Sequence, residues 1–331
     1  MSLLEVKRLN TEFKIGVGTV QAVRDVSFSL AEGESIGIVG ESGSGKSVTM
    51  LSVMGLLPAY ADISADSILF DGRELTKMSA RELRDLHGRD IGMIFQDPMT
   101  SLNPLFTVES QLTEPLRIHL KLSRAEARKR ALELLRQVEI PNPEARLKQY
   151  PHELSGGMRQ SVMIAIAIAC SPKLVIADEP TTALDVTIQA QILDLLAGLQ
   201  RRTGTSVIMI THDLGIVSDL CDRVNVMYGS QIMESGTVDD LFYRTSHPYT
   251  RGLLRCLPES VQNLEDKRLH PIMGSPVDLM MLPAGCAFSA RCDDCMKLCL
   301  NRRPELFEVN PGHTSRCWLT ALENAAKEVQ A

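Results

Sequence analysis

Residues 40–47 read Gly-Glu-Ser-Gly-Ser-Gly-Lys-Ser and match the G-x-x-x-x-G-K-[ST] phosphate loop at every fixed position. An apolar stretch over 34–39 predicts a buried strand before this loop, and 47–57 predicts an apolar helix after it. A loop in that context directs backbone N–H groups and the positive end of a helix toward a polyphosphate. Lys46 supplies a point charge, and the Ser47 hydroxyl can ligate Mg²⁺. The sequence therefore predicts a strand–loop–helix unit that binds a nucleoside triphosphate.

The charge balance gives no support to a nucleic-acid partner. Among 331 residues, 35 Lys and Arg stand against 41 Asp and Glu, which leaves a net charge of −6. The longest uncharged apolar stretch, residues 161–170, is about half of the ~18–20 residues that span a bilayer. We expect such a chain to associate with a membrane only through a partner.

Strands alternate with helices along most of the chain. The patterns predict strands at 3–13, 20–30, 67–70, 91–95, 174–177 and 207–210. They predict helices near 79–86, over much of 107–138, from 156 onward and at 186–201, with a capping box formed by Ser123 and Glu126. The alternation implies a mainly parallel sheet covered on both faces, interrupted by a helical subdomain. A proline-punctuated tail begins near residue 245.

Two further segments carry the chemistry of phosphoryl transfer. The apolar run 174–177 ends in Asp178 and Glu179, of which the first can hold a metal through water and the second can polarise an attacking water. At 154–160 the sequence is Leu-Ser-Gly-Gly-Met-Arg-Gln, in which Gly156 and Gly157 open a helix. The N–H groups at that helix start and the Ser155 hydroxyl can meet an anion, although Ser155 can also act as an ordinary N-cap.

In this order, the motifs resemble those of the ATPase subunits of ATP-binding-cassette (ABC) transporters, and the resemblance covers residues 1–245. It implies an α/β P-loop NTPase cassette, with a RecA-like core, an N-terminal antiparallel β subdomain and a helical subdomain inserted at about 97–165. It identifies Gln96 with the Q-loop, Asp185 of Ala183-Leu184-Asp185 with the D-loop, and His212 with the switch histidine that contacts the γ-phosphate.

The resemblance also implies where ATP and Mg²⁺ bind. Residues expected at the phosphates are Gly40, Ser42, Gly43, Ser44, Gly45, Lys46, Ser47 and Val48. The metal is expected at Ser47, Gln96 and Asp178, with Glu179, His212 and Gln96 catalytic. Phe13 lies where the family has an aromatic that stacks on adenine, but a core position for Phe13 remains an equal alternative.

In the resembled family, two ATPase subunits face head to tail. The helix that starts at Ser155, Gly156 and Gly157 of one subunit completes the ATP site of the other. Because the motif residues are all present, the resemblance implies a site that hydrolyses ATP.

The sequence after residue 245 indicates which group of ABC ATPases the chain resembles. Residues 247–250 (His-Pro-Tyr-Thr), 274–277 (Gly-Ser-Pro-Val) and 285–292 (Gly-Cys-Ala-Phe-Ser-Ala-Arg-Cys) resemble the C-terminal extension of dipeptide and oligopeptide importer ATPases, most closely the D-type subunit. This implies an F-type paralogous ATPase partner, two transmembrane permeases and an extracytoplasmic solute-binding protein. It also implies a peripheral position on the cytoplasmic face of a bacterial inner membrane. Related importers carry nickel or other small solutes, so these substrates remain alternatives, as does a soluble ABC ATPase without a transport role.

Five cysteines lie close together in the tail, with the spacing C-x5-C-x2-C-x3-C-x17-C. Zinc and iron–sulfur clusters both take four such ligands, and Cys292 and Cys295 form the one C-x-x-C pair among the five. The resemblance implies a 4Fe–4S cluster held by Cys286, Cys292, Cys299 and Cys317, in a small Cys-rich domain at 246–331. Zinc remains an alternative. Cys295 departs from the family pattern, as a spare thiol or as a replacement ligand.

Overall fold

The computed structural model describes residues 2–182, 184–257 and 271–330. The chain divides into two compact units, and each is made of several stretches of sequence. The first contains the described residues within Met1–Ser2, Leu30–Ser35 and Lys77–Ile210, and the second contains those within Leu3–Ser29, Ile36–Thr76 and Thr211–Ala331.

The described residues form β-strands and α-helices, several of them in consecutive runs of one type. The strands are β1 (Ser2–Ile15), β2 (Gly18–Ala31), β3 (Ser35–Val39), β4 (Ala61–Ser64), β5 (Ser67–Phe70), β6 (Arg73–Glu74), β7 (Ile91–Ile94), β8 (Leu174–Asp178), β9 (Ser206–Thr211), β10 (Arg223–Tyr228), β11 (Gln231–Thr237), β12 (Phe307–Asn310) and β13 (His313–Ser315). The helices are α1 (Lys46–Val53), α2 (Ala80–Leu86), α3 (Pro98–Ser101), α4 (Val108–His119), α5 (Arg124–Gln137), α6 (Pro143–Arg146), α7 (Gly156–Ala167), α8 (Val186–Thr203), α9 (Leu214–Leu220), α10 (Val238–Tyr243), α11 (Pro248–Arg255), α12 (Lys297–Asn301) and α13 (Trp318–Gln330). Within the described ranges, no helix combines the length and the apolar composition needed to cross a membrane.

The N-terminal strands form an antiparallel sheet in the order β2-β1-β5-β6, with β4 also paired to β1. The β1–β5 register aligns Leu4 with Phe70 and Val6 with Ile68, and all four side chains are buried. One apolar face is therefore removed from water, as alternating strands require. The N-terminal antiparallel sheet predicted from the resemblance is confirmed.

In the second unit, strands run in the order β12-β13-β11-β10-β3. Strand β10 is parallel to β3, whereas β11, β13 and β12 each add on in antiparallel orientation. The sequence predicted a mainly parallel sheet and missed β12 and β13, which are four and three residues long. The residues from 246 onward, called the C-terminal extension below, thus add strands to the sheet that contains β3, since β13 pairs directly with β11.

In the first unit, β7, β8 and β9 are neighbouring parallel strands, with Ile91 opposite Leu174 and Leu174 opposite Ser206. Helices α3 to α7 follow β7 and precede β8 in the chain, where the sequence predicted an inserted helical segment. The capping box of α5 is present, since Ser123 and Glu126 exchange hydrogen bonds with each other's backbone N–H groups. Helix α1 ends at Val53 rather than near residue 57, because Gly55 adopts a left-handed φ of 62°.

A buried carboxylate fastens the C-terminal extension to β11. The Glu234 side chain is fully buried, and its Oε1 accepts from the Ser246 N–H at 2.7 Å and lies 2.8 Å from Nε2 of His313. Its Oε2 accepts from the His247 N–H at 3.1 Å. His313 is on β13 and is itself fully buried. One carboxylate therefore links β11, β13 and the residues that precede α11.

Replacing Glu234 by alanine removes the acceptor of these buried N–H groups. We expect the free energy of unfolding to fall by about 3–5 kcal/mol, because several buried donors lose their acceptor and each unsatisfied buried donor costs about 1–3 kcal/mol. Glu308→Ala, at an exposed position of β12, is the matched control and should change it by no more than ~0.5 kcal/mol. Chemical denaturation of the full chain measures both variants, and equal losses would contradict an anchoring role for Glu234.

Candidate functional site

The phosphate loop lies between β3 and α1 in the second unit, and its backbone leaves no room for side chains at two glycines. Gly45 has a φ of 101° and immediately precedes α1. A Cβ there would collide with the carbonyl oxygen of Ala22, and a Cβ at Gly40 would collide with that of Met227. The loop is thus packed against β2 and β10 and leads directly into α1, whose N-terminal end attracts an anion.

Lys46 is the first residue of α1 and is 5% exposed. Its Nζ donates to the carbonyl oxygens of Gly40 at 2.8 Å and Glu41 at 3.1 Å. Ser47 and Val48 follow on the first turn, both half-buried, while Ser42 is exposed. The loop therefore has the fold that the sequence predicted for it.

In the first unit, the structure brings Gln96 and Glu179 together. Nε2 of Gln96 donates to Oε2 of Glu179 at 2.9 Å, and the Thr182 hydroxyl donates to the same oxygen at 2.9 Å. Asp178 ends β8 with 6% of its surface exposed, and Glu179 follows with a φ of 45°. A non-glycine residue in this region is strained, and such strain is concentrated at functional sites. The two carboxylates thus lie at a strand end, as predicted.

The Ser155 segment and the Asp185 segment are also close in the first unit. Ser155 is the N-cap of α7, where its Oγ accepts from the Met158 N–H at 3.3 Å. Asp185 caps α8 by accepting from the Ile188 N–H at 3.0 Å. A Cβ at Gly157 would lie 2.9 Å from Cγ2 of Ile188, so α7 and α8 approach closely at this glycine. Ser155 and Gly156 are exposed, and Ala183 of the predicted D-loop lies outside the described residues.

His212 directly follows β9 and is exposed. The turn after it is fixed by Asp213, whose N–H donates to the Thr211 hydroxyl at 3.0 Å and whose Oδ1 accepts from the Gly215 N–H at 2.8 Å. Phe13 is half-buried on β1, and its ring centroid lies 6.0 Å from that of Tyr60, which is 64% exposed. The stacking of Phe13 on adenine therefore stays a prediction.

Four of the five clustered cysteines line one cavity in the second unit. These are Cys286, Cys292, Cys299 and Cys317, the four that the resemblance selects, whereas Cys295 is exposed and does not line it. The Cys286 N–H donates to the Cys299 carbonyl at 2.8 Å, so two of the four are joined through the backbone. Burial raises the pKa of Cys286 to about 11 and that of Cys292 to about 12. Both are neutral thiols at pH 7 in the absence of a metal.

His247 lines the same cavity and is 1% exposed. Its Nδ1 accepts from the Tyr249 N–H at 3.0 Å. Its buried Nε2 makes no hydrogen bond of ordinary geometry among the described residues, although the Arg316 backbone lies near the ring. Burial lowers the pKa of His247 to about 4, so the ring is neutral at pH 7 and carries its proton on Nε2. A buried N–H donor and four thiols suit an iron–sulfur group, whose sulfurs accept hydrogen bonds. In the part of the chain that the structure describes, however, no three His, Cys, Asp or Glu side chains are close enough together to hold a metal ion.

Two contacts of the phosphate loop were not predicted from the sequence. The Glu41 carboxylate pairs with Arg291 at 2.6 Å, and its N–H donates to the Tyr249 hydroxyl at 2.9 Å. Both partners belong to the C-terminal extension, 250 and 208 residues away in sequence. The one signal that could have identified Arg291 is its position between two clustered cysteines.

Comparisons with known proteins agree with these features. A family model for the ABC transporter matches residues 23–182, and one for the oligopeptide/dipeptide transporter C-terminal region matches residues 233–299. The chain is 53% identical over 318 residues to the dipeptide transport ATP-binding protein DppD of Bacillus subtilis, covering 96% of this chain and 94% of the relative. It is 50% identical over 316 residues to the oligopeptide transport ATP-binding protein OppD of Salmonella typhimurium, covering 96% and 93%.

A solved structure of the ATP-binding cassette MJ0796, a dimer in a post-hydrolysis state bound to ADP and Pi, is similar with a TM-score of 0.65 and 29% identity. The match covers 71% of this chain and 98% of that one. The chain therefore belongs to the ATP-binding subunits of ABC transporters, and within them to the group of the dipeptide and oligopeptide transport ATP-binding proteins. It is an ATPase of the ABC cassette type.

Proposed function

We propose that this chain hydrolyses ATP to drive the uptake of dipeptides or oligopeptides through partner permeases. The observation that carries the hydrolytic part is the Gln96–Glu179 hydrogen bond at the end of β8, which aims a carboxylate where a water could be polarised. The peptide part is supported by relatives of about 50% identity that are named as dipeptide and oligopeptide transport proteins.

The roles of the site residues follow from their chemistry. Lys46 would neutralise phosphate charge. Ser47, Gln96 and Asp178 would hold Mg²⁺, which would stabilise negative charge on the phosphates. Glu179 polarises the attacking water and His212 contacts the γ-phosphate. The strained φ of Glu179 supports its role, because a conformation that costs about 1–3 kcal/mol is retained where function needs it.

The proposal includes a second ATPase subunit, an F-type paralogue, arranged head to tail with this chain. In that arrangement Ser155, Gly156 and Gly157 approach the partner's ATP, with Asp185 at the same interface. The exposure of Ser155 and Gly156 supports this role, as does the dimeric state given for the similar cassette. The remaining partners are two permeases and a solute-binding protein, and the chain acts from the cytoplasmic face of a bacterial inner membrane as a peripheral subunit.

We further propose that the cassette comprises residues 1–245, with its helical subdomain at about 97–165, and that residues 246–331 form a Cys-rich extension. In this extension Cys286, Cys292, Cys299 and Cys317 hold a 4Fe–4S cluster, with zinc as the alternative. The shared cavity and the buried Nε2 of His247 support this ligand set. When bound, the group would cross-link four positions within residues 286–317, and such binding would contribute folding free energy.

Glu179→Gln removes the charge that polarises water and keeps the phosphate loop intact. We expect ATP to bind with near-parent affinity while hydrolysis falls by at least ~10²-fold. Steady-state phosphate release and equilibrium nucleotide binding on the transporter complex separate the two effects. Hydrolysis at near-parent rate would exclude the proposed role, and Glu153→Gln, at an exposed position, is the matched control.

Ser155→Arg introduces a bulky cation where the partner's ATP is expected. In a mixed dimer that carries the change in this chain alone, we expect hydrolysis to be lost at the site whose phosphate loop belongs to the partner. Combining the change with a phosphate-loop lysine variant in either subunit identifies the damaged site. Damage at this chain's own Lys46 site would contradict the head-to-tail arrangement.

Anaerobically purified protein should contain about four iron atoms per chain and absorb as a 4Fe–4S cluster. Cys299→Ser should lose the iron, because it removes one of the four cavity ligands, and the matched variant Cys295→Ser should keep it. Iron analysis and electron paramagnetic resonance after reduction measure both. Colourless protein with one zinc would favour the alternative metal, and iron loss in Cys295→Ser would contradict the ligand set.

A further inference from the structure

Arg291 lies in the cysteine-bearing part of the C-terminal extension and forms an ion pair with the phosphate loop. Its side chain is 5% exposed, and Nη1 and Nη2 donate separately to Oε2 and Oε1 of Glu41 at 2.6 and 2.9 Å. This is the two-pronged pairing of a planar guanidinium with a carboxylate, the strongest common form of charged hydrogen bond in proteins. Glu41 is the second residue of the phosphate loop.

The other contacts of the guanidinium fix its direction. Nε donates to the Met273 carbonyl at 3.0 Å, and Nη2 also donates to the Ile272 carbonyl at 3.2 Å. Nη1 lies 3.4 Å from the Tyr228 hydroxyl, and the guanidinium carbon is 5.7 Å from the centroid of that ring. Contacts with residues 272–273 and with Tyr228 therefore fix the orientation of the guanidinium group. In that orientation two of its N–H groups point at the Glu41 carboxylate.

Glu41 in turn is held at every polar group it has. Its N–H donates to the Tyr249 hydroxyl at 2.9 Å, and its carbonyl accepts from the Ser44 N–H at 3.2 Å and from Lys46 Nζ at 3.1 Å. The contacts of Glu41 with Tyr249 and Arg291 fix the start of the loop relative to the extension. Its contact with Lys46 fixes the start of the loop relative to that side chain.

We propose that Arg291 is a positioning residue for ATP: through Glu41 it holds the phosphate loop in the conformation that binds the nucleotide. The inference rests on the proposed binding of ATP at Lys46. Arg291 does not touch the nucleotide itself, and nothing in the chemistry of phosphoryl transfer requires a carboxylate at Glu41. The contact makes the fold of residues 286–292 part of the ATP site, because the same turn carries Cys286, Cys292 and the arginine.

Without the Arg291–Glu41 ion pair, the loop is in the ATP-binding conformation in a smaller fraction of the molecules. The apparent dissociation constant for ATP equals the intrinsic one divided by that fraction, so it rises. If removal of the fork leaves about a tenth of the molecules competent, ATP binding weakens about tenfold. The effect should fall on nucleotide affinity and KM, whereas the catalytic groups Glu179 and Gln96 are unaltered, so kcat at saturating ATP should change less than twofold.

The test compares full-length Arg291→Ala, Arg291→Lys, Glu41→Gln and the Arg291→Ala/Glu41→Gln double variant, with a fluorescent ATP analogue and Mg²⁺ as the probe. The matched control is Arg251→Ala, which breaks an ion pair of the same extension, Arg251 with Asp294 at 2.7 Å, that involves no residue of the loop. We expect each single alanine or glutamine change to weaken binding about tenfold and the double variant to be no worse, because both remove one interaction. Arg291→Lys keeps the charge without the fork and should lie between parent and alanine, while Arg251→Ala stays within twofold of parent.

A second measurement does not depend on ATP. Hydrogen–deuterium exchange of the peptide that spans residues 40–47, in nucleotide-free protein, should be faster in Arg291→Ala and Arg291→Lys and unchanged in Arg251→Ala. Parent-like exchange in both Arg291 variants, additive losses in the double variant, or equal losses in the Arg251 control would each overturn the inference. Failure of the parent chain to bind ATP would refute the proposed function, whereas ATP binding by the parent with unchanged affinity in Arg291→Ala would overturn the positioning role alone.

Discussion

The buried carboxylate of Glu234 is the contact on which the arrangement of the C-terminal extension depends. A buried carboxyl group is stable only when hydrogen-bond partners meet its oxygens. Here the partners come from His313 on β13 and from the backbone that leads into α11. These bonds fix where α11 starts. They thereby set the direction of two side chains with separate tasks, because Tyr249 reaches the phosphate loop and His247 lines the cysteine cavity.

The C-terminal extension thus makes three kinds of contact with the rest of the second unit. It adds strands to the sheet through β13, it contributes hydrogen bonds to the loop before α1, and it packs an aromatic cluster against the end of β10. In that cluster the ring of Tyr228 lies 4.7 Å from Tyr249 and 5.3 Å from Phe288, centroid to centroid. Such contacts are typical of a core rather than of a mobile appendage. The ATP-binding loop and the cysteine cavity therefore share one packed environment.

What the sequence predicted well was local. The phosphate loop, the acidic end of β8 and the capped starts of α5 and α7 are each determined by residues within a few positions of one another, so pattern and spacing identify them. The antiparallel sheet of the N-terminal residues followed from strand alternation and from the family resemblance. The set of four cysteines came from the resemblance alone, since spacing does not distinguish Cys295 from Cys292 or Cys299. In the structure, exposure separates Cys295 from the other four.

The contacts that escaped prediction join residues far apart in sequence. Strands β12 and β13 are too short to show alternation. Strand β13 pairs with β11 at the buried Glu234, and β12 pairs with β13. Glu41 occupies a variable position of the loop motif, and Arg291 is one of 35 basic residues. No periodicity connects them. Likewise, Gly157 is required to be small by Ile188 on a different helix, which the sequence of α7 alone does not reveal.

The separation between Glu41 and Arg291 has a consequence for how the protein is made. A ribosome adding ~5–20 residues per second needs about 12–50 s to synthesise the 250 residues between them. During that time the phosphate loop has left the ribosome but Arg291, its ion-pair partner, has not yet been synthesised. Strand β11 likewise lacks its neighbour β13. The second unit is made of stretches from early and late parts of the sequence, so it completes its packing only after its late stretch, which begins at Thr211, has been synthesised. The order of synthesis therefore leaves the phosphate loop without its contacts to Tyr249 and Arg291 until both residues have left the ribosome.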